Sequence, residues 1–112
     1  MNQMKLRSDL PIKYYLNLHS HKDLQDDLAV LFDISQYLLR VIEIKGKKLD
    51  PQNMKFSSKT FKYVFGDQLK DETFKQDLVK KIKALISQQL LEVKGEEIHF
   101  TQKGLLTFYT FE

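Results

Sequence analysis

Residues 71–111 read DETFKQDLVKKIKALISQQLLEVKGEEIHFTQKGLLTFYTF, and along this stretch the apolar period passes from helical to alternating and back. Phe74, Leu78, Ile82, Leu85 and Ile86 recur at the spacing of one helix face. At about 100° per residue the opposite face carries Thr73, Gln76, Lys80, Lys83 and Ser87, which is polar and basic. Thr73 followed by Gln76 fits a capping box, and Asp71 with Glu72 stands where a helix N-terminus favours negative charge. Leu91 and Val93 then alternate with Glu92 and Lys94, and Ile98 and Phe100 with Glu97 and His99. A two-residue Gly95-Glu96 turn of type II′ sets Lys94 opposite Glu97 and Val93 opposite Ile98, with all four apolar residues on one face. Thr101 is placed to cap a last short helix, with Phe100 and Leu105 at the positions of a hydrophobic staple.

The run of a leucine-rich helix end, LLEVKGEEIHF (90–100) and TQKGLL (101–106) resembles the winged helix-turn-helix family, with a Thr-x-Lys-Gly-Leu segment after the wing. The resemblance covers roughly residues 23–112 and is specific to fold. It implies an α+β, mainly α domain: a three-helix core, a two-stranded wing, a short C-terminal helix, and a third strand contributed by the N-terminal segment.

The chain of 112 residues fits one domain, with residues 1–9 polar and mobile, 10–22 an N-terminal extension, and 23–112 the core. Leu10, Ile12, Tyr14, Leu16 and Leu18 alternate with polar or aromatic neighbours as a half-buried strand would, and Pro11 confines it to an edge. A first helical turn through Tyr14, Tyr15 and Leu18 is the weaker option for this segment. His19, His21 and Asp23 have a spacing that could hold a metal but lack a third clear ligand, so Ser20 or Asp23 reads as a helix N-cap and no metal is expected.

A helix from about Asp23 to Ile42 follows, and it is apolar on two sides. Leu24, Leu28, Leu31, Phe32, Leu38, Leu39 and Ile42 form the stripe expected to face the core; Val30, Ile34, Tyr37 and Val41 form a second. Two readings stand for the second stripe. Either the N-terminal and C-terminal segments lie over it, or it is a homodimer interface.

From Lys45 to Gly66, six lysines (45, 47, 48, 55, 59 and 62) stand against Asp50 alone, a local charge of +5 in a chain whose total is +3. Pro51, Gln52 and Asn53 mark a turn, Ser57 is read as the cap of the second helix with Phe56 and Phe61 as its staple, and Gly66 as its stop. Phe61, Val64 and Phe65 should face inward, leaving Lys59, Lys62 and Tyr63 outside. Asp67 to Lys70 is the turn into the third helix, and the aromatic end LLTFYTFE reads as core cover.

There is no cysteine, glycine-rich phosphate loop, Gly-x-Ser-x-Gly elbow or His-Glu-x-x-His, so neither an enzyme nor a cofactor is expected. No run near 18 apolar residues and no N-terminal apolar core of a leader occur, which points to a cytoplasmic protein that neither spans nor binds a membrane. A pI near 9.0 permits nucleic-acid binding.

The expected function is therefore double-stranded DNA binding, by a small transcriptional regulator or a mobile-element accessory factor. Thr73, Gln76 and Lys80 would meet base edges in the major groove, Lys59, Lys62 and Lys83 would hold phosphates, and Lys94 would add a wing contact. Asp71, Glu72 and Asp77 at the start of the third helix, and Glu96 with Glu97 on the wing, oppose this by repelling phosphate. The rival expectation is a protein-interaction module that docks through the second stripe or the acidic wing and binds no nucleic acid. A ligand-sensing regulator would need an apolar pocket that sequence cannot reveal.

Overall fold

Helix α1 (Asp27–Ile44) is the element on which the others pack. Ala29 through Ser35 are buried without interruption, as a helix apolar on both sides requires. The computed structural model describes residues 4–10, 27–48 and 50–111, and over these the chain is α+β, mainly helical, with two small antiparallel sheets. The helix runs beyond the expected Ile42 and ends in a turn where the Gly46 N–H donates to the Glu43 carbonyl and the Lys47 N–H to that of Ile42, each at 3.0 Å.

Half of the second stripe of α1, expected at a dimer interface, is closed to a partner. Val30 and Ile34 are 0% exposed within the single chain, so no partner can reach them. Tyr37 and Val41 are half-buried, and the Tyr37 ring stacks on Tyr63 at 6.2 Å between centroids. The aromatic end of the chain, which one of the two readings lays over this stripe, instead meets the opposite side of the helix, at Phe32, Ser35 and Gln36. Phe108 meets Phe32 edge-on at 5.1 Å. Tyr109 is 1% exposed, and its hydroxyl lies 2.7 Å from Ser35 Oγ and accepts from Gln36 Nε2 at 2.8 Å. Ser35 Oγ also donates to the Phe32 carbonyl at 2.7 Å; having one proton, it leaves Tyr109 as the donor between the two hydroxyls.

Strand β1 (Met4–Leu6) falls in the stretch expected to be mobile. It pairs antiparallel with the last strand, Tyr109–Phe111, with Met4 opposite Phe111, and Met4 is buried. One apolar anchor and a backbone ladder suffice to fix a segment whose composition is otherwise polar. The alternating stretch after Leu10 and the loop of His19, His21 and Asp23 lie outside the described residues.

Beyond α1, a single 3-10 turn (Pro51–Asn53) leads into β2 (Lys55–Phe56), α2 (Thr60–Phe65), a second 3-10 turn (Gly66–Lys70) and α3 (Glu72–Ser87). The hairpin β3 (Leu91–Lys94) and β4 (Glu97–Phe100), helix α4 (Gln102–Leu106) and β5 (Tyr109–Phe111) complete the chain. Strand β2 lies against β4, giving the order β2-β4-β3. The third strand of this sheet thus comes from between α1 and α2, not from the N-terminal segment.

The hairpin register is as expected: Lys94 faces Glu97 and Val93 faces Ile98. Gly95 takes a φ of +64° at the first turn position, as a type II′ turn requires. Its apolar face is graded. Leu91 and Phe100 are buried, Ile98 is half-buried, and Val93 at the open end is 55% exposed.

Two caps differ from expectation. Helix α3 is capped by Asp71, whose carboxylate accepts the N–H groups of Thr73 and Phe74; Thr73 sits inside the helix. Helix α2 begins without a side-chain cap, and the local bond is reversed, with the Ser57 N–H donating to Thr60 Oγ1 at 3.3 Å.

Candidate nucleic-acid interface

Lys62 of α2, with Lys59 just before the helix, is exposed because Val64 and Phe65 turn the other face into the core. Phe65 packs edge-on against Phe74 of α3 at 5.8 Å, which fixes how the two helices meet. Between α2, the following 3-10 turn and α3 lies a groove of about 880 Å³.

Lys59, Lys62 and Lys83, expected as phosphate contacts, all line this groove. Lys70 and Lys75, which the sequence reading did not single out, line it as well. Against these five lysines the described lining has one acid, Asp67, and that carboxylate is 3.4 Å from Lys70 Nζ. Among the described residues no carboxylate lies within ion-pair distance of Lys59, Lys62, Lys75 or Lys83. Lys75 could have been found from sequence. With Val79 and Lys83 it forms a row spaced by four, the flank of α3 turned toward α2.

Thr73, Gln76 and Lys80 are exposed on α3 but do not line the groove. Gln76 and Lys80 each follow a groove residue by one position, so they stand about 100° further round the helix. They form the outward face, with Lys83 at the border between the two. Lys94 is exposed at the tip of the hairpin and lies apart from the groove.

The acids that count against a phosphate ligand are largely engaged. The Asp71 carboxylate holds the helix cap. Asp77 pairs with Lys81 one turn on. Glu97 turns onto the sheet, 3.8 Å from Lys55 Nζ and 3.8 Å from His99 Nε2. Glu72 and Glu96 remain exposed.

The rest of the cationic window does not converge on the groove. Lys45, Lys47 and Lys55 line a separate depression of about 260 Å³ near the C-terminal end of α1, with Glu97 beside them. Among the described residues no cluster of His, Asp and Glu could hold a metal ion. Nor, among these residues, is any helix long and apolar enough to cross a membrane.

The TQKGLL segment is a fastening. Thr101 Oγ1 accepts the Gly104 N–H at 3.0 Å, capping α4, and donates to the Gln89 carbonyl at 2.6 Å. Lys103 Nζ donates to the Gln88 carbonyl at 3.2 Å. Gly104 lies so close to the chain below that a Cβ there would stand 2.2 Å from the Leu90 oxygen. Thr101, Lys103 and Gly104 therefore answer to the C-terminus of α3, and Leu105 is buried in the core. The chain matches no protein-family model, no curated protein and no solved structure.

Proposed function

We propose that the chain is a winged helix-turn-helix protein that binds double-stranded DNA, as a small regulator or an accessory factor of a mobile element. The element order of helix, short strand, helix, helix and hairpin supports the winged-helix reading. The observation that carries the DNA reading is the meeting of Lys59 and Lys62 of the α2 segment with Lys83 of α3 along one groove, with no ion pair among the described residues. Such lysines would neutralise phosphates and fix the register, while the adjoining face of Thr73, Gln76 and Lys80 enters the major groove. Gln76 suits adenine and Lys80 suits guanine. Lys94 would reach the backbone beside the wing.

Two observations bear on a docking role without nucleic acid, for which Glu96 stays exposed on the wing. Val30 and Ile34 are enclosed, and Glu97 of the wing is engaged with Lys55.

A gel-shift series with random duplexes at rising salt tests the DNA reading. Affinity should fall with log salt at a slope of about 0.9 per phosphate held, and Lys59→Ala with Lys62→Ala and Lys83→Ala together should flatten that slope by roughly 2.7. Lys80→Ala should instead change which duplexes are preferred. Absence of binding to any duplex at low salt, or indifference to all four substitutions, would end this reading.

A further inference from the structure

The groove between α2 and α3 is more than a cationic surface, because its floor is apolar. Phe61 and Leu69 come from the α2 side, Leu78 and Ile82 from α3, and Val79, 46% exposed, stands on the α3 wall. A phosphate backbone has nothing to set against that floor. The lysines, meanwhile, stand on both walls: Lys59 and Lys62 on one, Lys75 and Lys83 on the other. Lys75 and Lys83 are eight residues apart on α3, which is about 12 Å along the axis. A ligand with one carboxylate and one apolar tail can satisfy a cation at one end only. An apolar stripe with negative charges down both edges satisfies the whole rim.

We propose that this groove docks an acidic amphipathic helix of a partner protein, its Leu- or Phe-type residues on the floor and its Asp or Glu side chains against the lysines of both walls. The argument is charge complementarity over an exposed apolar seat, with a surplus of four positive charges among the described lining residues. About 12 Å of wall accommodates two turns of such a helix, enough for anchors at i, i+3, i+4 and i+7. The docking itself does not depend on the DNA reading. Where both hold, they share Lys59, Lys62 and Lys83, so helix and duplex exclude one another and the partner acts as a release factor.

The probe is a fluorescein-labelled 16-residue peptide with leucines at i, i+3, i+4 and i+7 flanked by glutamates, read by anisotropy and by amide shifts of the isotope-labelled chain. Its controls are a scramble of the same composition and a lysine-for-glutamate version. The expected result is saturable binding with shifts centred on Phe61, Leu69, Val79 and Ile82, at least tenfold weaker for the scramble and absent for the basic peptide. Val79→Ser and Lys75→Gln, both at exposed positions outside the proposed DNA contacts, should each weaken the peptide about fivefold while the thermal melt is unchanged.

Equal binding of the scramble, shifts centred elsewhere, or indifference to both substitutions overturns the proposal. So does dodecanoate moving the same resonances when the peptide does not, which would make the groove a small-ligand site. Duplex affinity is scored separately on the same variants. Peptide binding without duplex binding keeps this docking and removes the DNA reading; duplex without peptide does the reverse.

Discussion

The two ends of helix α3 use polar side chains in opposite ways. At its C-terminal end, Thr101 and Lys103 give their hydrogen bonds to the carbonyls of Gln89 and Gln88, and Gly104 presses on Leu90. Along the flank that faces α2, Lys75 and Lys83 stand beside an apolar floor and form no ion pair among the described residues. The difference separates residues that hold the fold from residues left available to something outside it. In a motif dense in recognisable residue types, as at 101–105, Thr101, Lys103 and Gly104 are here occupied with the chain itself. The less conspicuous row of lysines is the part that remains uncommitted.

That contrast is most exposed to test at Gly104. A methyl at this position would collide with backbone, which cannot swing away as a side chain could, so Gly104→Ala should destabilise by about 3 kcal/mol or more. Thermal denaturation should show a drop on the order of 10 °C. A melt close to the parent's would mean that α4 can lift off α3 without loss, and the fastening would be no fastening.

The next effect belongs to Tyr109, which ties β5 to α1. Burial pushes its hydroxyl up to about 12, and the hydrogen bonds with Ser35 and Gln36 offset this only in part. The folded value lies above the unfolded one, near 10, so the stabilisation is complete below pH 10 and is lost as pH rises from there toward 12. The loss amounts to about 2–3 kcal/mol. Urea denaturation from pH 8 to 12 should show the parent losing that much more stability than Tyr109→Phe; parallel curves would deny the hydroxyl its burial.

Thr101→Ala removes a helix cap together with the bond to Gln89. About 1–2 kcal/mol should go, read by the same denaturation. The smallest effect should come from the other side of the comparison. Lys59→Ala with Lys83→Ala deletes no internal partner and should move stability by less than about 0.5 kcal/mol while affecting ligand binding. A loss comparable to that of Thr101→Ala would place those lysines with the fold, and the contrast between the two ends would collapse.

What could be read in advance was whatever depends on neighbours in sequence. The hairpin register follows from a period of two and a glycine at the turn, and the cap at Thr101 from Phe100 and Leu105 at the staple positions around it. Even local reading had limits: Asp71 and Thr73 both suit the start of α3, and the charged group two positions earlier takes the cap, leaving the threonine to the first turn. Strands of two and three residues, Lys55–Phe56 and Met4–Leu6, are too short to show a period, and they exist because distant strands offer them a ladder. The groove was invisible for a related reason. Its lysines and its floor come from two helices and a turn, and Lys62 and Lys83 come to one place through tertiary packing such as that of Phe65 on Phe74. The second stripe of α1 misled because periodicity reports that a face is apolar, never what lies on it.

The ribbon of β1 and β5 has a mechanical corollary. Met4 and Phe111 are opposite one another at its outer end, so a force drawing the two apart loads the ladder one rung at a time, as a zipper opens. Under tension the molecule should yield first there, peeling Tyr109 from Ser35 before the three-stranded sheet or the helices bear any load.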